Sequence, residues 1–248
     1  MPSEAPAAAA GSGTVPWPKA TPPRVDTDWC IDIVSTLDRE SCYVLPDRPT
    51  TTLLVYLHGV VPPTPESHQK TNVETVVANA SRRAGVAALM PRGRQGLAPK
   101  RISSWWAWPT NPGAYREHTP AMMAKIEAQR RRLEEIAGVT FTRIYVAGSS
   151  SGAYYASALA LRGGIRADGF GAMSGGSGSA TAELAKLPPT PFYIGYGEAD
   201  TVGESARALA EVLKHAGWPV RIAAHRVGHG AKEIYLDEAF AFWREQQK

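Results

Sequence analysis

The stretch Gly148-Ser149-Ser150-Ser151-Gly152 has the pattern G-x-S-x-G, with Ser150 at its centre. A serine hydroxyl is a weak nucleophile until a base takes its proton and the backbone exposes it. The flanking residues suit that need. Phe141 to Ala147 is an apolar β-type run that enters the motif, and Ala153 to Leu161 is an alanine-rich helical run that leaves it. A strand–turn–helix of this kind holds its serine in a strained conformation, while glycines two residues away on each side allow close approach. The serine then lies by a helix N-terminus, where developing negative charge is favoured. Asp200 follows the apolar run Pro191 to Tyr196, and His229 follows Val220 to Arg226. In that order, His229 would take the Ser150 proton and later deliver it to the leaving group. Asp200 would fix the His229 tautomer and stabilise its imidazolium. Glu198 is the alternative acid, and Asp237 is a poor one because it falls inside the last predicted helix.

These residues need a frame. The spacing predicts a hairpin of Cys30 to Val34 and Cys42 to Leu45 around a polar turn at Asp38 to Ser41. Strands are expected at 51–57, 86–90, 141–147, 169–173, 191–196 and 220–226. Helices are expected at 72–83, 120–137, 153–161, 204–216 and 233–245, with a long irregular loop over 92–118. Met122, Ile126, Leu133 and Ile136 share one face of the second helix. Strands alternating with helices imply parallel crossovers and a sheet covered on both faces, so the fold class is α/β. Ser150, Asp200 and His229 then all follow C-terminal strand ends, on one rim.

On these residues the chain resembles the α/β-hydrolase superfamily over roughly residues 28–248, and within it the small capless esterases of the polyhydroxybutyrate-depolymerase, feruloyl-esterase and dienelactone-hydrolase type. The matching features are Leu57-His58-Gly59, Pro91-Arg92-Gly93, the motif at 148–152, Asp200 and Gly228-His229-Gly230. The resemblance implies a mostly parallel central sheet with helices on both faces and no large cap domain. It also implies a Ser150–His229–Asp200 triad that cleaves carboxylic esters through an acyl-enzyme, without cofactor or metal. The oxyanion-hole donors would be the backbone amides of Val60 and Ser151, with His58 shaping the first of those loops. Peptidase, thioesterase and polyester depolymerase share this triad, and a catalytically silent binding protein is the alternative from outside the class. Trp105, Trp106 and Trp108 lie in the loop after the fourth strand, which reaches the same rim. They are candidates to contact the acyl group, or else to pin the loop. Arg92, Arg94, Lys100 and Arg101 add positive charge there.

Other signals are weaker. Gly195-x-Gly197 lacks the third glycine of a dinucleotide fingerprint. The four-residue spacing of His225, His229 and Glu233 lacks the helical pattern of a zinc site. Gly175 to Gly178 reads as a flexible rim loop. The 248 residues are 44% hydrophobic, enough for a real core. With Lys+Arg 27 against Asp+Glu 23 and no basic stripe, nucleic acid is not an expected partner. No apolar run reaches the ~18 residues of a membrane span. The expected partner is a small-molecule or polymeric ester, and the expected state a monomer. Residues 1–27, rich in Pro and Ala, are expected to be a disordered tail before a domain at 28–248. Cys30 and Cys42 are either bridged, closing a loop of about 13 residues worth about 3 kcal/mol, or two reduced thiols. The hairpin favours the bridge, and with it a secreted, periplasmic or surface-tethered location; reduced thiols would place the chain in the cytoplasm.

Overall fold

The computed structural model describes residues 17–20, 25, 27–178 and 184–247. Strands β1 (Ser35–Asp38), β2 (Ser41–Val44), β3 (Thr52–Leu57), β4 (Ala87–Pro91), β5 (Arg143–Ser149), β6 (Gly169–Met173), β7 (Phe192–Gly197) and β8 (Val220–His225) form one sheet. Its order is β1-β2-β4-β3-β5-β6-β7-β8. The first two pairings are antiparallel and the remaining five parallel.

The central strands are apolar on both sides, as a strand between two helical layers must be. In β3, Leu53, Val55 and Leu57 enter one core while Leu54 and Tyr56 enter the other. Helices α2 (Pro112–Ala137), α3 (Ser151–Leu161) and α4 (Gly203–His215) cover the first face. Helices α1 (His68–Ala84) and α5 (Glu233–Glu245) cover the second, where Trp243 stacks on Tyr145 at 4.4 Å.

Two helices begin earlier than the periodicity predicts, and local capping explains both. The Ser67 hydroxyl accepts the Lys70 amide at 3.2 Å, so α1 starts four residues before Asn72. The Asn111 side chain accepts the Ala114 amide at 3.0 Å, with Pro112 just inside the helix. The last seven residues of the expected 92–118 loop are therefore the first two turns of α2. Pro120 lies within that helix, carried by the buried stripe Thr119, Met122, Ile126, Leu133 and Ile136.

The first hairpin strand is also displaced. It is Ser35–Asp38, while Cys30 lies just before the preceding turn, which is closed by the Val34 amide on the Ile31 carbonyl. The Cys30–Cys42 disulfide forms all the same, with Cα atoms 5.6 Å apart. Of the expected tail, residues 1–16, 21–24 and 26 lie outside the described residues. Trp17 to Ala20 dock on the domain, the Trp17 indole donating to the Pro46 carbonyl and the Ala20 amide to the Ile136 carbonyl.

Two buried ionisable groups of α1 fasten the segment before β1. The Lys70 ammonium donates to the Asp28 carbonyl at 2.9 Å, and the Glu74 carboxylate accepts the Ile31 amide at 2.8 Å. Burial pushes the Glu74 carboxyl up to about 7, against the opposing pull of the Ile31 amide and Lys70. The unfolded chain ionises this group near 4.5. Stability from the protonated form is therefore complete below pH 4.5 and is lost as pH rises through 7. Glu74→Gln should match the parent in urea melts at pH 4 and exceed it by roughly 3 kcal/mol or slightly more at pH 8, at about 1.4 kcal/mol per pH unit between the two values. A difference that does not change with pH would contradict a protonated Glu74.

Candidate active site

Ser150 stands between β5 and α3 with φ 52° and ψ −120°, a conformation that non-glycine residues rarely adopt. Three bonds hold it there. Its amide donates to the Met173 carbonyl at 3.0 Å, and its carbonyl accepts from Ala153 and Tyr154. The motif glycines are required by close approach. A Cβ on Gly152 would overlap the Leu57 and His58 carbonyl oxygens, and one on Gly148 would stand 2.6 Å from the Leu57 oxygen. The end of β3 therefore lies directly against the serine turn. A Cβ on Gly59 would be 3.2 Å from the Ser150 Cβ and 3.9 Å from its Oγ.

That contact places the Gly59-Val60 backbone beside the hydroxyl. The Val61 amide is occupied by the Trp106 carbonyl at 3.0 Å, and the Trp106 amide returns to the Val61 carbonyl at 2.8 Å. Among the described residues, the amides of Val60 and of Ser151 have no acceptor. His58 secures the loop from below. Its Nε2 accepts the Gly93 amide at 2.9 Å, which leaves Nδ1 as the donor to the Gly59 carbonyl. Burial lowers its pKa to about 4, so the ring is neutral, as a ring accepting an amide proton must be.

Asp200 and His229 follow the C-terminal ends of β7 and β8. His229 Nδ1 lies 2.8 Å from Asp200 Oδ2. The Asp200 side chain is 3% exposed and that of His229 50%, so the pair has a buried acid and an accessible ring. The Val202 amide donates to Asp200 Oδ1 at 3.2 Å, fixing the carboxylate. Glu198, the alternative acid, is 3.6 Å from Arg226 on the surface, and Asp237 pairs with Arg83. His225 faces Glu238 at 3.2 Å, away from His229. Among the described residues no group of three His, Cys, Asp or Glu side chains could hold a metal ion.

A cleft of about 520 Å³ is bordered by Ser150, His229, the Gly59-Val60-Val61 loop and the first turns of α1. Ser150 Oγ and the His229 ring share it without a direct hydrogen bond between them. The three candidate tryptophans do not line this cleft, which corrects the sequence-based expectation. Trp108 is 1% exposed and stacks on Tyr155 at 5.5 Å, with His58 at its other side. Trp106 lies under the Arg92 guanidinium at 4.1 Å, facing a separate pocket. Trp105 borders neither and sits in a turn, its amide on the Ile102 carbonyl. The loop is held by backbone pairs, the Arg94 amide with the Ala107 carbonyl and Val61 with Trp106, and by the packing of Trp106 and Trp108.

No family model and no curated protein matches the sequence. Solved structures do. Arabidopsis thaliana SOBER1 superposes with a TM-score of 0.59 at 18% identity, over 79% of this chain and 99% of that one. The Bacillus cereus carboxylesterase gives 0.58 at 14% identity, over 83% and 93%. Zea mays acyl-protein thioesterase 2 gives 0.56 at 18% identity, over 84% and 99%. The chain has the α/β-hydrolase fold.

In this α/β-hydrolase fold, residues that sequence reasoning missed join the site elements together. Ser174, buried and at φ 49°, donates its amide to the Gly195 carbonyl and its hydroxyl to the Gly230 carbonyl at 3.2 Å. It thus connects the end of β6 to the turn carrying His229. Asn72 does the same from α1, donating to the Ala231 carbonyl at 3.2 Å. No signal beyond their place at element ends marks either one. Gly175 and Gly176 are likewise not a flexible rim: both are buried, Gly175 against the Ser150 carbonyl and Gly176 against Leu209 of α4. Gly152→Ala should cost about 4 kcal/mol or more in urea unfolding, because neither carbonyl it meets can retreat without moving β3. Gly228→Ala, where a Cβ meets nothing within 4 Å, should change stability by about 0.5 kcal/mol or less. Equal effects would refute the close-contact account.

Proposed function

We propose that the protein is a serine hydrolase that cleaves carboxylic esters through an acyl-enzyme, with Ser150 as nucleophile, His229 as general base and acid, and Asp200 as orienting acid. The observation that carries this reading is a strained serine opening into one cleft with an accessible histidine whose other nitrogen is held by a buried carboxylate. Solved structures named carboxylesterase and acyl-protein thioesterase share the fold and support a hydrolase reading.

Asp200 on Nδ1 leaves Nε2 to receive the Ser150 proton as Oγ attacks the ester carbonyl. Substrate binding must shorten the Ser150–His229 separation, as is common when catalytic hydrogen bonds are loose in the free enzyme. Negative charge then develops on the former carbonyl oxygen, and the open amides of Val60 and Ser151 are the groups placed to receive it. The protonated His229 gives its proton to the departing alcohol, leaving Ser150 acylated. A water, deprotonated by the same ring, releases the acid and restores the serine. Every step uses groups of this chain, so no cofactor is called for.

The ester is a small molecule or the accessible chain of a polymer, reached through a cleft with no cap domain over it among the described residues. Among the described residues no helix is long and apolar enough to cross a membrane. The Cys30–Cys42 disulfide supports a secreted, periplasmic or surface-tethered location. Ser150→Ala should lower kcat for p-nitrophenyl acetate by on the order of 10⁴–10⁶-fold with an unchanged melting curve, since the nucleophile is lost and the fold kept. The parent enzyme should release a burst of p-nitrophenol if deacylation is slower. A Ser150→Ala protein that keeps near-parental turnover would overturn the assignment.

A further inference from the structure

We infer that the catalytic cleft selects esters that also carry a carboxylate, and that Lys232 is the residue that recognises it. The inference rests on the serine-esterase reading and names the substrate class of that same site.

Lys232 borders the cleft together with Ser150 and His229, is half-buried, and forms no ion pair among the described residues. Among the described residues no aspartate or glutamate borders the cleft. Three acids of the adjoining elements are committed elsewhere. Asp200 is buried against His229, Glu233 is held by Asn79 and Arg83, and Asp237 by Arg83. Glu66 lies just outside the α1 cap and does not border the cleft. The only other basic side chains on the lining are His68 and His229 itself.

A structural role does not account for this lysine. It occupies the N-cap of α5, where its side chain makes no capping hydrogen bond. A cation there opposes the helix dipole, so the placement costs stability at low ionic strength. The remaining lining is uncharged: Gln69 and Asn72 beside Val60, Val61 and Val73. An unpaired ammonium in a partly desolvated cleft attracts an anion more strongly than it would on an open surface. A carboxylate a few bonds from the ester would neutralise it while the carbonyl sits over Ser150.

Two matched pairs of esters test the idea, one with the acid on each side of the scissile bond. The acyl-side pair is the p-nitrophenyl monoester of adipic acid against p-nitrophenyl heptanoate. The alcohol-side pair is 4-acetoxybenzoate against its methyl ester. The parent enzyme should favour the acidic member of at least one pair by about tenfold in kcat/KM, the scale of one charge-assisted contact. That ratio should fall toward unity in Lys232→Gln, invert in Lys232→Glu, return in Lys232→Arg, and shrink with added salt. The change should appear mainly in KM, whereas a folding defect would lower activity on both members alike and leave the ratio intact. Turnover of all four esters without a charge preference, or a preference that survives Lys232→Gln, would overturn the inference and leave the esterase reading standing. No turnover of any ester would remove the esterase reading, and this inference with it.

Discussion

The close contact between the end of β3 and the serine turn is the constraint on which the rest of the site depends. Gly148 and Gly152 place two backbones so near the Leu57 and His58 carbonyls that no side chain fits between them. Three consequences follow from one approach. α3 leaves the sheet at an angle that exposes Ser150, the strained conformation of Ser150 is over-determined by its neighbours, and the Gly59-Val60 backbone comes beside the hydroxyl. Rigidity of this kind cannot come from side-chain packing alone, because a single methyl group would remove it.

Two histidines on the same rim show how environment divides labour. His58 is buried, neutral and committed at both nitrogens, so it braces the loops after β3 and β4. His229 is half-exposed, with one nitrogen fixed by a buried carboxylate and the other left toward the cleft. Burial holds the first ring neutral, while the second keeps one nitrogen accessible. The acid shows the converse arrangement. Asp200 is buried but receives two donors, so its charge is compensated where it stands, whereas Glu198 has only a surface arginine for company.

Arg92, Trp106 and Trp108 of the 92–108 loop turn inward, while Arg94, Lys100 and Arg101 stay exposed. Arg92 lies over Trp106 and bonds Glu40, which also bonds Lys125, and Trp108 fills the core beside Tyr155. The loop is held by its tryptophans, and the wall of the cleft falls to α1 and the turn after β8. Asn72 and Lys232 are among the polar side chains of that wall.

The α/β class, the order of strands and helices, and the positions of Ser150, Asp200 and His229 were legible in the residues themselves. Each depends on a local pattern: apolar runs of strand length, helical periodicity, and small or polar residues just past strand ends. The disulfide was legible for a similar reason, since Cys30 and Cys42 are close in the chain. The starts of α1 and α2 were not, because single hydrogen bonds accepted by the side chains of Ser67 and Asn111 outweighed the visible periodicity and Pro120. The side-chain roles of Trp105, Trp106 and Trp108 escaped as well. A tryptophan suits a core and a binding wall equally, and only its long-range neighbours decide. The same holds for Ser174, Asn72, Glu74 and Lys232, whose partners, or lack of them, lie dozens of residues away. Sequence determines which elements form and which residues stand at their ends; the tertiary structure alone decides which side chains meet, because that depends on contacts between segments with no local signal for one another.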